Sequence, residues 1–147
     1  MASLPDLLLA DHHREELIND CTQLVERFVS KRSGLKGLAY KAALSTANSA
    51  KPNFLRNAMR KLIPEFAVAL DPLYQEFSQS SAGDFSVYLQ KHSERAIPAM
   101  LGVADARVAR ADHKSLQALY NKLRKGVESD MQTIFPDLSR VLTTYLG

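Results

Sequence analysis

Apolar residues recur along this chain at spacings of three and four, the spacing of one face of an α-helix. The clearest stripe consists of Leu17, Ile18, Cys21, Leu24, Val25, Phe28 and Val29. We expect Asp11 to cap this helix and Ser33-Gly34 to end it. No stretch shows the sustained two-residue alternation of a half-buried strand. The spacing therefore predicts an all-α protein.

Similar stripes continue to the end of the chain and predict about seven or eight helices joined by short loops. A chain of 147 residues fits one domain of ordinary size, which buries about two thirds of its unfolded surface. The best loop, from Gln79 to Asp84, is too short to link two domains. We therefore expect residues 1–147 to form a single-domain helical bundle.

Two segments indicate how this chain could associate with another. Ser3 and Asp6 have the spacing of a capping box ahead of Leu7–Leu9, whose leucines need a cover from the chain's own core or from a second copy. Residues 35–49 are rich in Ala, Gly and Ser, whose small side chains permit close approach of another helix. Either segment could mediate a homodimer.

Prolines predict several helix boundaries. We expect a helix over Asn53–Ile63 to end at Pro64, with two further short helices meeting at Pro72. Pro98 is expected near the start of a helix at Ser93 or at a kink. Pro136 is expected to end the last long helix, because proline lacks the backbone donor that a helix interior uses.

Three aspartates are expected to cap helices. Asp71, Asp84 and Asp112 each precede an apolar helix start, where a carboxylate accepts from the free backbone N–H groups of the first turn. Asp105 differs, because it lies inside a predicted helix. Arg107 and Arg110 do not stand at the spacing of three or four that brings side chains together on a helix, so they could pair with Asp105 only after tertiary folding. We expect Asp105 to form a buried ion pair across helices, with a functional acid as the alternative.

Several short motifs are shared with a known family: Asp71-Pro72, the Gly83-Asp84-Phe85 turn, Tyr88-Leu89 and Asp105-Ala106-Arg107. From about Leu7 to Leu142 the chain resembles a family of small bacterial all-helical proteins known only as a domain of unknown function. The resemblance implies a bacterial cytoplasmic helical protein. Because that family has no established activity, the resemblance assigns no catalytic or binding residue.

Positive charge is concentrated in one part of the chain. The net charge is +3, but the nine cations from Arg27 to Lys61, the basic segment, precede any anion until Glu65. At about 100° per residue, Arg56, Arg60 and Lys61 share one helical face. The candidate polyanion-binding residues are Lys31, Arg32, Lys36, Arg56, Arg60 and Lys61. A solvated face, neutralised in part by the acidic segments on either side, is the interpretation that the sequence favours.

Potential metal ligands are densest at the histidine pair His12 and His13, which is followed by Glu15 and Glu16. At most two of them share a helical face, and no Glu has a His three residues later, as a di-iron bundle requires. We therefore expect exposed residues of a first helical turn and predict no metal ion and no cofactor.

Catalysis has no clear signal. His92 and His113 are isolated, there is no Gly-x-Ser-x-Gly motif, and Cys21 lies in an apolar stripe that disfavours its thiolate. We predict no catalytic residue and favour a protein that is not an enzyme. A ligand pocket between helices is left open.

The single cysteine excludes an internal disulfide and is typical of a reducing compartment. No segment has the length and apolar character of a signal peptide or membrane span. We expect a cytoplasmic protein without membrane contact. Its function is expected to be protein–protein association, with nucleic-acid or polyanion binding through residues 27–61 as the alternative.

Overall fold

The computed structural model of the chain describes residues 2–80 and 83–146, and in them it contains seven α-helices and no strand. The helices are α1 (Leu4–Leu8), α2 (Arg14–Lys31), α3 (Gly34–Ala50), α4 (Phe54–Ser78), α5 (Phe85–Lys91), α6 (Ser93–Arg110) and α7 (Lys114–Thr144). The prediction of an all-α helical bundle is confirmed.

The two longest helices, α4 and α7, organise the packing. Helix α4 packs against α1, α2, α3, α5 and α6, and helix α7 packs against α2, α3, α5 and α6. One apolar cluster lies among them, and its fully buried side chains include Leu17, Leu70, Phe85, Leu89 and Phe135. Cys21 belongs to this cluster, as its place in the α2 stripe predicts.

Helix α1 is anchored to its own chain at both ends. Ser3 and Asp6 form the expected capping box, and the backbone N–H of Leu4 donates to the carboxylate of Asp71 at 2.8 Å. The side chains of Leu4 and Leu8 are buried in the core. The leucines of this segment were predicted to pack either on the core of their own chain or on a second copy, and the structure shows packing on their own core.

Three prolines lie inside helices that were expected to end there. Pro64 and Pro72 lie within α4, and Pro136 lies within α7, so the predicted boundaries at these positions are wrong. A proline removes one helical hydrogen bond. Apolar residues on both sides of Pro64, Ile63 and Ala67, are buried against the same core, and this packing keeps the helix continuous.

Two of the predicted caps are shifted by one or two residues. Helix α2 was expected to be capped by Asp11 but begins after His13. Helix α7 was expected to be capped by Asp112 but begins after His113, whose Nδ1 accepts from the N–H of Leu116 at 3.3 Å. Asp71 lies inside α4 and does not cap it. Asp84 caps α5 as expected, by accepting from the N–H of Ser86 at 2.8 Å.

The junction between α2 and α3 is tight and depends on two glycines. Gly34 has a φ of +75°, a conformation that side chains with a Cβ rarely adopt. A Cβ at Gly37 would lie 2.0 Å from the carbonyl oxygen of Arg32. Glycine at position 37 therefore lets the first turn of α3 pack directly on the backbone at the end of α2.

Candidate functional site

Two of the predicted polyanion-binding residues are held by an acidic side chain of α2. Arg60 Nη1 donates to Glu15 Oε2 at 2.5 Å, and Arg56 Nη2 lies 3.8 Å from Glu15 Oε1. Arg56 Nη1 also donates to Asn19 Oδ1 at 3.0 Å. The hydrogen bond from Arg60 holds the pKa of Glu15 below its ordinary value. The neighbouring Lys61 is exposed.

Two others converge on a buried carboxylate of α7. Asp130 is only 8% exposed and accepts a hydrogen bond of 2.5 Å from the hydroxyl of Tyr40 on α3. Arg32 Nη2 lies 3.4 Å and Lys36 Nζ 3.9 Å from Asp130 Oδ1. Burial, and then the hydrogen bond to Asp130, raise the pKa of Tyr40. This cluster joins the start of α3 to the middle of α7.

The six candidate residues therefore form two groups and not one. Glu15, which holds Arg56 and Arg60, is near the start of α2, whereas Arg32 follows its last residue. At 1.5 Å per residue the two positions are about 25 Å apart along the helix. Lys31 lies with the second group in the last turn of α2.

Five cations of the basic segment make no ion pair with any described residue. They are Arg27, Lys31, Lys41, Lys51 and Lys61, and all five are exposed. The other four are those bound by Glu15 and Asp130. Neutralisation of the basic segment is thus partial, and it comes from α2 and α7.

A second feature of this region is an uncharged face of α3 that no described part of the chain covers. Leu35 is 86% exposed and Leu38 is 64% exposed. At about 100° per residue they share an arc of about 100° with four small exposed residues. We name this set the outer face: Leu35, Leu38, Ala39, Ala42, Thr46 and Ser49. The buried residues Gly37, Tyr40 and Ala47 lie on the opposite side of α3.

A shallow groove adjoins the outer face on one side. It has a volume of about 520 Å³ and is lined by Val29, Lys41, Leu44, Ser45, Asn48 and Ser49. Ser49 belongs to both the groove and the outer face. Together they form one surface, with apolar side chains from α2 and α3.

Leu35 and Leu38 were not among the site residues predicted from the sequence. The composition of residues 35–49 predicted close approach by another helix, but it could not show which side of α3 faces the core. A signal was nevertheless present, because a helical wheel of α3 has two uncharged arcs separated by Lys36 and Lys41. Because the helices that pack on α3 lie on one side of it, they can bury only one of those arcs, and the other stays exposed.

A more polar groove of about 710 Å³ lies between α6 and α7 around Asp105. Asp105 accepts from Arg124 Nε at 2.7 Å, from Arg124 Nη2 at 3.0 Å and from the Tyr120 hydroxyl at 2.6 Å. The hydrogen bond from Arg124 lowers the pKa of Asp105, and burial raises the pKa of Tyr120. Both carboxylate oxygens are occupied by these partners.

Neither of the two arginines considered for Asp105 binds it. Arg107 and Arg110 instead bind Glu65 on α4, at 2.6 Å and 3.3 Å. The Asp105 side chain is 43% exposed, so its pair with Arg124 is at the surface and not buried. An ion pair across helices is found, but sequence spacing within α6 could not reveal its partner on α7.

The histidine pair His12 and His13 has a structural role. His13 Nε2 lies 2.7 Å from the carbonyl oxygen of Leu7, and His13 Nδ1 lies 3.0 Å from His12 Nε2. The ring of His13 also packs on Tyr145. Within residues 2–80 and 83–146, no group of three or more His, Cys, Asp or Glu side chains is placed to hold a metal ion.

Burial raises the pKa of the Cys21 thiol to about 12, which keeps it protonated and unreactive. In the described part of the chain, no helix combines the length and the apolar character that crossing a membrane requires.

These features define a helical protein whose polar clusters are ion pairs and hydrogen bonds between helices. The chain belongs to a family described as a family of unknown function (DUF6918), whose pattern matches residues 4–146. This confirms the resemblance to a domain of unknown function. No curated protein and no solved structure matches the chain.

Proposed function

We propose that this is a non-enzymatic protein of the bacterial cytoplasm that acts through protein–protein association, and that the outer face of α3 is its contact surface. The observation that carries the proposal is the exposure of Leu35 and Leu38, 86% and 64%, on one uncharged face. Contiguous exposed apolar residues rimmed by polar ones are typical of interaction sites. The small residues beside them allow a second helix to approach closely.

The other segment considered for association, Leu7–Leu9, supports the proposal less well. Leu8 is 1% exposed within its own chain, and Leu7 and Leu9 are half-buried. Using this segment would require α1 to leave the core. The outer face of α3 needs no such rearrangement, and either a second copy, giving a homodimer, or another protein could supply the opposing helix.

Site-specific photo-crosslinking in the native host tests the proposal. A photo-reactive residue at Ser45, which borders the outer face, should give a discrete adduct, and the adduct should disappear when Leu35→Ser and Leu38→Ser are added. A photo-reactive residue at Val68, which is 63% exposed on α4, is the control position and should give none. Adducts of equal yield at both positions, or none at Ser45, would overturn the proposal.

Sedimentation equilibrium of the purified protein then identifies a homodimer. If the partner is a second copy, the apparent mass rises with concentration and returns to the monomer value in the Leu35→Ser, Leu38→Ser variant. The matched control is Val68→Ser with Val87→Ser, which removes two exposed apolar side chains elsewhere. That control should associate like the wild type.

A second candidate function is polyanion binding through the basic segment, and the five unpaired exposed cations favour it. If about five of them met phosphates, the logarithm of the affinity for duplex DNA would fall with the logarithm of salt concentration with a slope of about −4 to −5. Reversing the charge of Lys31, Lys51 and Lys61 should abolish this binding. Absence of binding at low salt would exclude the function.

A further inference from the structure

Lysines flank the outer face of α3 on both sides, and one of them, Lys36, is already paired with Asp130. On the helical wheel Lys36 and Lys41 lie about 100° or more from the centre of that face, in opposite directions. Lys41 also lines the groove that adjoins it, and Lys51 follows the last residue of α3. No acidic residue occurs in residues 27–64, so neither α3 nor the two connections beside it provide a negative charge at this surface.

Resting on the proposed function, we propose that the occupant of this surface is an amphipathic helix of another protein, with an apolar row flanked by acidic residues. Helices of this kind bind by laying an apolar face into a groove. Here the apolar row would contact Leu35 and Leu38, and the acidic edge would reach Lys41 and Lys51. Opposite charges at the rim of an interface increase the association rate and select the partner.

A second copy fits this surface less well. In a symmetric dimer the same patch lies on both sides of the interface, so the lysines that border one outer face would meet those of the other. One helix of 17 residues is about 25 Å long and about 10 Å wide, whereas a stable interface buries about 800 Å² on each partner. Self-contact through α3 alone is therefore repulsive at its rim, and the small area, which any single helix on this face would bury, does not offset that repulsion.

Three synthetic helical peptides of 18 residues provide the probes. The acidic peptide has leucine and alanine on one face and glutamate along its flanks. The basic peptide has lysine in place of each glutamate, and the third peptide keeps the glutamates but has serine in place of each leucine. Fluorescence anisotropy measures the binding of each peptide to the wild-type protein at 50 mM and 500 mM NaCl.

We expect the acidic peptide to bind most tightly, and to bind more weakly at 500 mM salt, because exposed charges are screened. Lys41→Glu should weaken its binding about three- to tenfold at 50 mM salt. The matched control is Lys91→Glu, which makes the same charge change on α5, a helix that packs against α4, α6 and α7. Leu38→Ser should weaken the binding about tenfold.

The outcomes separate this inference from the proposed function. Equal binding of the acidic and basic peptides, lost in Leu38→Ser, would retain the association surface and overturn the acidic partner. If the acidic peptide and the peptide with serine in place of leucine bind equally well, the inference is overturned in favour of polyanion binding by charge alone. If no peptide binds and the Ser45 position gives no crosslink, both the inference and the proposed function fail.

Discussion

The hydroxyl of Tyr40 on α3 donates a hydrogen bond of 2.5 Å to the carboxylate of Asp130 in the middle of α7. These residues are 90 positions apart in the chain, and both are buried. A buried carboxylate without partners is strongly destabilising, so Tyr40, Arg32 and Lys36 together make Asp130 tolerable at this depth. The contact fixes the side of α3 that faces the core, and therefore the side that carries Leu35 and Leu38.

Tyr40→Phe should lower the free energy of unfolding by about 1–3 kcal/mol, because it leaves the Asp130 carboxylate short of a donor. Urea denaturation followed by circular dichroism measures the change. The control is Tyr74→Phe, since the hydroxyl of Tyr74 has no hydrogen bond to a described residue. An equal loss in the two variants would contradict the importance of the Tyr40 contact.

Gly37→Ala should destabilise the protein by about 1–3 kcal/mol, because the added Cβ would overlap the carbonyl oxygen of Arg32 and force α2 and α3 apart. Gly102→Ala is the matched control. Gly102 is exposed within α6, and a Cβ there would meet no atom of any other described residue within 4 Å beyond its own stretch of helix. Alanine should therefore stabilise α6 by about 0.5–1 kcal/mol. Thermal unfolding of both variants measures the opposite signs, and a stable Gly37→Ala protein would refute the tight junction.

Ser139→Ala should leave the stability unchanged or raise it by up to about 1 kcal/mol. The Oγ of Ser139 is buried and has no hydrogen-bond partner among the described residues, so its removal eliminates an unsatisfied polar group. Ser86→Ala provides the contrast, because the Oγ of Ser86 donates to Asp84 Oδ1 at 2.8 Å. The free energy of unfolding of Ser86→Ala, measured by urea denaturation, should be lower than that of the wild type by about 1 kcal/mol. A larger loss at Ser139 than at Ser86 would contradict this prediction.

The ion pairs of Glu65 predict how stability depends on pH. The hydrogen bond from Arg107 holds the folded-state pKa of Glu65 below its ordinary value of 4.5, so near that pH the folded protein binds fewer protons than the unfolded chain. The stabilisation is present above pH 4.5 and is lost as pH falls through the folded-state pKa.

Glu65→Gln should therefore be less stable than the wild type at pH 7 and should lose less stability between pH 7 and pH 3. Glu26→Gln is the control, because Glu26 is exposed and has no ion pair with any described residue. It should show the wild-type dependence. Denaturant titrations at several pH values measure the stability of both variants. If the stability of Glu65→Gln changed with pH as much as that of the wild type, the ion pairs of Glu65 would not be the source of the pH dependence.

The helical class could be predicted from the sequence because it depends on local spacing. The stripe from Leu17 to Val29 identifies α2, and Asp84 identifies the start of α5. The end predicted at Pro64 failed for a different reason. The helical hydrogen bond that Pro64 removes can be inferred from the local sequence, but the burial of Ile63 and Ala67 on either side of it depends on helices distant in the chain.

The candidate site shows the same division. The sequence identified the cations of residues 27–61 and the small residues of α3. It could not show that Glu15 and Asp130 bind four of those cations, because both acids lie outside the segment. Asp105 was expected to form an ion pair across helices, but the sequence could not identify the partner, Arg124, because it lies on α7.

The contact between α2 and the end of α7 has a consequence for biosynthesis. Tyr145 donates its hydroxyl to Asp20 on α2, and Phe135 and Leu142 complete the apolar cluster. Translation delivers α2 long before its partner, so the early helices emerge from the ribosome with their leucines uncovered. The nascent polypeptide cannot complete the apolar cluster until α7 has left the exit tunnel. Premature termination before α7 should therefore give a product that chaperones and proteases recognise.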